Sequence, residues 1–150
     1  MVLKKLPYWG NVDSYLWYGG GLKKDFSKAT EMQQATAINF AKLLDMVATA
    51  YPKMRIRFST SNPQDMTFEV IDTMAKHHNI CKYIHLPVQS GSNRILKAMN
   101  RQHTREEYFV LIDGIRQRIP DCAISQDMIT GFPTETEEDH RDTLSLMEYV

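Results

Sequence analysis

The residues that could do chemistry in this chain lie in two segments, His85 to Arg101 (HLPVQSGSNRILKAMNR) and Asp127 to Thr136 (DMITGFPTET). Both put polar groups where a strand stops. Tyr83 to Val88 reads as a short apolar strand running into Gln89, Ser90 and Gly91, then a helix carrying Ile95, Leu96 and Met99. Ala123, Ile124, Met128 and Ile129 read as a second, buried strand that ends in Gly131, Phe132 and Pro133 before an acidic helix start. In parallel α/β folds ligands bind at the carboxyl ends of strands, where loops and helix N-termini converge. Ligand binding is therefore the chemistry expected of these loops. Acid-base work by His85, Asp127 and Arg101 lacks support, because no general base is paired with a recognisable nucleophile.

The elements that must position these loops follow from periodicity and caps. Thr30 with Gln33 gives a capping-box helix start, and Phe40, Leu43, Leu44 and Val47 recur at helical spacing as one apolar face until Pro52. Met54 to Ser59 alternates Met, Ile and Phe with Arg55 and Arg57 as a strand would, and opens into Thr60, Ser61, Asn62 and Pro63. A helix from about Asp65 to His78 turns Phe68, Ile71 and Met74 inward. Thr104 and Glu107 form a second capping box for a helix with Tyr108, Leu111, Ile112 and Ile115 inward, closed by Pro120. The last helix starts near Thr136, and Glu137, Glu138 and Asp139 cap it by opposing the positive end of its dipole. Strands alternating with helices, without internal repeat, predict an α/β fold with a parallel sheet and right-handed crossovers. Upstream, the glycines from Gly19 to Gly21 with Lys23, Lys24 and Asp25 read as a surface loop, or alternatively one that faces a substrate.

One hundred and fifty residues suffice for one core, and 43% hydrophobic content is ordinary for a globular chain. Eighteen basic and eighteen acidic residues leave no bulk electrostatic footprint for nucleic acid, so RNA affinity has to come from elsewhere. No apolar run approaches the ~20 residues of a membrane span, and no signal-peptide pattern precedes the domain. The expectation is a soluble cytoplasmic protein. Cys81 and Cys122 read as buried, unpaired thiols beside strands. His77 and His78 read as solvated helix-end residues, since adjacent helical histidines point in different directions and chelate poorly with Cys81.

The ordered series PVQSGS, LKxMNRxHTxExY and DxIxGFPxET, from Pro87 to Thr136, resembles the radical S-adenosylmethionine (SAM) enzymes, in particular the methylthiotransferases that modify tRNA. The resemblance runs from about Asn11 to the C-terminus. Asn62 stands where the family often has histidine, and Thr134 where it often has glycine. The resemblance implies a partial TIM-like (βα) barrel with helices packed outside. This chain would be its middle portion, without the cluster-binding first βα unit, the N-terminal methylthiotransferase domain or the C-terminal RNA-binding domain. The implied cofactors are SAM and two [4Fe-4S] clusters in the parent enzyme. A CxxxCxxC loop leaves one iron free for SAM, and two distant cysteines cannot make that loop.

The resemblance also implies site residues. Arg101 would grip the methionyl carboxylate as a two-pronged donor, and Asp127 and Gln89 would bond ribose hydroxyls, with Thr60 or Ser61 doing likewise. Gly131, Phe132 and Pro133 would let adenine lie close to the backbone, and His85 would face the barrel interior as a satisfied core histidine. The implied reaction places a methylthio group on isopentenylated adenosine beside the tRNA anticodon, through a 5′-deoxyadenosyl radical. Its partners are tRNA and an electron donor such as flavodoxin or ferredoxin, and the isolated segment is expected to be inactive. The alternatives are the neighbouring sub-family, which modifies an aspartate of a ribosomal protein, and a cluster-free SAM-binding or scaffold barrel.

Overall fold

A computed structural model describes residues 38–59 and 62–150. The expectations for Thr30, Gln33, the glycine-rich loop, Thr60 and Ser61 lie outside the described residues. The elements run α1 (Phe40–Ala50), α2 (Phe68–Lys76), β1 (Tyr83–His85), α3 (Asn93–Ala98), α4 (Arg105–Arg118), β2 (Ala123–Ser125) and α5 (Glu137–Tyr149).

The chain is mixed α/β, and β1 pairs with β2 in parallel, Tyr83 opposite Ala123 and His85 opposite Ser125. Parallel neighbours need a long crossover, and α3 and α4 supply it. Pairing continues beyond β1, because Leu86 N donates to Ser125 O at 2.8 Å and Gln89 N to Asp127 O at 3.0 Å. The regular register slips between them, since Gln89 N and not Val88 N reaches Asp127 O, and the strand ends at His85 instead of Val88. The strand expected at Met54 to Ser59 is reduced to one bridge between Ile56 and Ile80.

Side chains along β1 alternate between two environments. Ile84 and Leu86 are buried against the helices, while Tyr83 and His85 point to a polar face. The core adds Ile71 and Met74 of α2 and Tyr108, Ile112 and Ile115 of α4, the inward face that the α4 spacing predicts. Three expected faces differ. Along β2, Ala123 and Ile129 are exposed and Ile124 and Met128 half-buried, since among the described residues no strand pairs on the far side of β2. α1 buries Leu44 as expected, but beside Ala41 and Ala48 instead of Phe40, Leu43 and Val47, because small side chains let it approach α2. Phe68 is 40% exposed, laid across Gly114 under the Arg118 guanidinium. Among the described residues no helix is long and apolar enough to cross a membrane.

Candidate functional site

The turn that leaves β1 carries an unusual backbone. Gln89 has φ +78°, a left-handed conformation in which a side chain costs energy. The parallel ladder holds it there from both sides, with Ile129 N donating to Gln89 O at 2.9 Å opposite the Gln89–Asp127 bond. Gln89 and Asp127 are thus brought together through the main chain. Ser90, Gly91 and Ser92 behind the turn are buried, and Ser92 caps α3. A Cβ on Gly91 would stand 2.4 Å from the Asp142 carbonyl, so glycine is what lets α5 lie against the turn. Gly91 N donates to Thr143 Oγ1 of α5 at 2.9 Å.

The stretch LKAMNRQHTREEY braces both strand ends from α4. His103 is buried, and burial lowers its pKa from the ordinary value, keeping the imidazole neutral. Its Nε2 lies 3.3 Å from Val88 O, directly before the Gln89 turn. Tyr108, fully buried, has its hydroxyl 3.0 Å from Leu86 O and 3.2 Å from Gln126 Oε1, and burial pushes its phenol pKa up. Arg101 follows the left-handed Asn100, its backbone N–H returning to Leu96 O at 2.8 Å. Its guanidinium is exposed, without an ion pair or side-chain hydrogen bond among the described residues.

After β2 the loop folds onto its own carboxylate. Glu135 Oε2 accepts from the N–H groups of Gly131 (φ +73°) and Phe132, so these amides already have a partner. Thr134 is a third non-glycine residue in the left-handed region, with φ +74°. Arg94 of α3 holds it by donating to Thr134 O and also pairs with Asp139. Asp139 stands in the capping first turn as expected, and beyond the dipole effect it forms a capping box with Thr136 and accepts from Ser92 Oγ at 2.5 Å. Arg94, Ser92 and Thr136 hold its carboxyl far below the usual carboxylate range. Beyond capping, then, Asp139 ties α5 to α3.

A series of polar contacts crosses the polar face of the sheet. Ser125 Oγ lies 2.7 Å from both Tyr83 Oη and His85 Nδ1, and His85 Nε2 is 3.3 Å from Asp127 Oδ2. His85 is satisfied, as expected, but half-buried on a polar face instead of enclosed in the core. The Asp127 side chain keeps 62% exposure, so its second oxygen can still meet a ligand. A cavity of about 450 Å³ opens beside this series, lined by Arg57, Phe58, Ser59, Tyr83 and His85.

Among the described residues no group of three or more His, Cys, Asp or Glu side chains could hold a metal ion. Cys122 is buried and free, and its thiol pKa is raised by that burial. Cys81 is also free, but half-buried instead of enclosed, because its Sγ accepts from Arg55 Nε at 3.0 Å. His77 is not a solvated helix end, since its Nε2 lies 2.7 Å from Asp45 Oδ1.

The profile of the Radical SAM superfamily matches residues 4–147. The chain is 78% identical over 140 residues to the tRNA-2-methylthio-N(6)-dimethylallyladenosine synthase of Christiangramia forsetii. It is 74% identical over 140 residues to proteins of that name from Flavobacterium psychrophilum and Flavobacterium johnsoniae. Each alignment covers 93% of this chain but 29% of the relative, so the chain spans under a third of the length of those proteins.

Proposed function

The chain belongs to the radical SAM superfamily, and on that premise we propose that it is the middle portion of the barrel of a tRNA methylthiotransferase. Similarity at this level over nearly the whole chain, to proteins that share one name, supports the reading. The observation that carries it is the polar set left available at the loops: the exposed Arg101 guanidinium, unpaired among the described residues, the mostly exposed Asp127 carboxylate and the Gln89 amide. These match the groups of SAM in charge and hydrogen-bonding sense. Arg101 would grip the amino-acid carboxylate with two parallel donors. Asp127, oriented by His85, would accept from the ribose hydroxyls with Gln89 beside it, and Thr60 and Ser61 would serve the same ribose. Gly131, which has no side chain, would let the adenine approach the backbone next to Phe132.

Bound together, SAM and a [4Fe-4S] cluster supply the one-electron chemistry on which the superfamily rests. Two cysteines, one enclosed and one engaged by Arg55, do not provide the three thiolates a cluster needs. Both clusters expected of the parent enzyme would therefore be held by residues outside this chain. So would the N-terminal methylthiotransferase domain, the C-terminal RNA-binding domain and the docking site for a flavodoxin or ferredoxin. The whole enzyme would be cytoplasmic and modify isopentenylated adenosine next to the tRNA anticodon.

The test is to inactivate the gene that encodes the segment and analyse tRNA nucleosides by mass spectrometry. Loss of the methylthio group with retention of the isopentenyl group is expected. An unchanged methylthio content would overturn the proposal, and loss of a methylthio mark from a ribosomal-protein aspartate would replace it with the neighbouring sub-family.

A further inference from the structure

The balanced charge of the chain hides a local excess at the start of the sheet. Arg55 and Arg57 alternate along the edge segment that bridges to Ile80, and both side chains are exposed. Together with His78, Cys81, Lys82 and Tyr83 they line a groove of about 390 Å³, whose described lining contains no carboxylate. The Arg57 guanidinium lies 5.2 Å from the centre of the Tyr83 ring. Through Arg57 and Tyr83 the groove continues into the cavity beside His85.

Several other cations of the fold are already engaged. Arg94 pairs with Asp139, Arg118 with Asp72 and Lys76 with Asp45. Within the groove Lys82 is engaged too, donating to the carbonyls of Met74 and His77 near the end of α2. Arg55 and Arg57 have no acidic partner among the described residues. Arg55 is held by its Nε bond to Cys81 Sγ, which leaves the two terminal nitrogens of its fork free to donate. Two oriented guanidinium forks and an aromatic face, without a competing carboxylate, are the recognition chemistry of a phosphodiester backbone.

We propose that Arg55 and Arg57 form a binding site for backbone phosphates of single-stranded RNA, separate from the loops assigned to SAM. The inference rests on the tRNA reading above and names where this part of the enzyme would grip its substrate. Each phosphate neutralised releases counterions, so log K for a single strand falls with log salt concentration by about 0.7 per contact.

The experiment measures binding of a fluorescent single-stranded RNA to the full chain across a salt series. Replacing both arginines by glutamine (R55Q/R57Q) should reduce the magnitude of the salt slope by about 1.4, the value for two contacts. R55K/R57K should keep the slope near that of the native chain, because charge is retained. R141Q removes an exposed charge of α5 outside the groove and should leave the slope unchanged. Circular dichroism checks that each variant is folded, and SAM binding is followed on the same samples by calorimetry. No RNA binding by the native chain, or an unchanged slope in R55Q/R57Q, would overturn the inference while the assignment of SAM to the strand-end loops stands. Loss of SAM binding in R55Q/R57Q would also overturn it, by placing these arginines in the SAM site. An unchanged methylthio content in the nucleoside analysis above bears only on the tRNA reading, so the two failures are distinguishable.

Discussion

Asp127 has two tasks that pull in opposite directions: one oxygen faces His85, and the side chain stays open enough to meet a ligand. Replacing it by asparagine keeps the shape and removes the charge. Because hydrogen bonds to charged groups contribute about 1.5–3 kcal/mol, D127N should weaken SAM binding by about tenfold or more. Its melting temperature should change little, since the side chain is mostly exposed. Calorimetry and thermal melting on one preparation check both. Asp139 gives the contrasting case, a buried carboxylate held below its unfolded value of 3.8 by Arg94, Ser92 and Thr136. A depressed pKa contributes stability that is complete above the unfolded value and is lost as pH falls below it. The stability gap between the native chain and D139N should therefore be large at neutral pH and narrow by about pH 3 in urea titrations. Residues of this kind were only partly legible in the sequence. Gln89, Arg101 and Asp127 stand out because they sit in ordered motifs, whereas Arg94 and Asp139 are 45 positions apart and meet only once the chain has folded.

At the scale of elements, two glycines that look alike in sequence carry different constraints. A Cβ on Gly91 would meet backbone atoms of Asp142 and Thr143 at 2.4–2.6 Å, and those atoms move only if α5 moves. G91A should cost about 2 kcal/mol or more, within the range for overpacking. The atoms nearest a Cβ on Gly114 belong to the Phe68 ring, which is 40% exposed and can swing aside. G114A should be near neutral, as the ~1 kcal/mol gain from replacing a helical glycine offsets the displacement. Denaturant unfolding of the two variants separates these cases. Caps were the most legible elements, because they are local: the capping box of Thr104 with Glu107 forms as expected, and the acidic turn after Thr136 caps its helix as expected, although the box that Asp139 makes with Thr136 was not read. The faces of α1 and α2 were harder to read. Burial there was settled by how closely neighbouring helices approach, which favoured Ala41 and Ala48 over Phe40 and left Phe68 at the surface. The strand at Met54 to Ser59 pairs at a single point, a tertiary outcome that alternation alone does not encode.

For the molecule as a whole, the parallel pairing was legible from the alternation of strand and helix, while the closed barrel is a proposal that rests on the superfamily. On the proposed reading, the strand-end loops of this chain would meet SAM, and because its two cysteines cannot supply three thiolates, a cluster would be held elsewhere in the parent. Anaerobic reconstitution of the chain with iron and sulfide should give no iron-sulfur charge-transfer absorption, because two separate cysteines cannot supply three ligands. The central claim is that the segment keeps the SAM-facing loops of the barrel. The most direct test is a SAM titration of the isotopically labelled full chain followed by amide NMR. The account predicts saturable shifts concentrated at Gln89, Arg101, Asp127, Gly131 and Phe132, all displaced together to about tenfold or more higher SAM concentration in D127N. Absence of any saturable shift, or shifts confined to residues away from these loops, would contradict it.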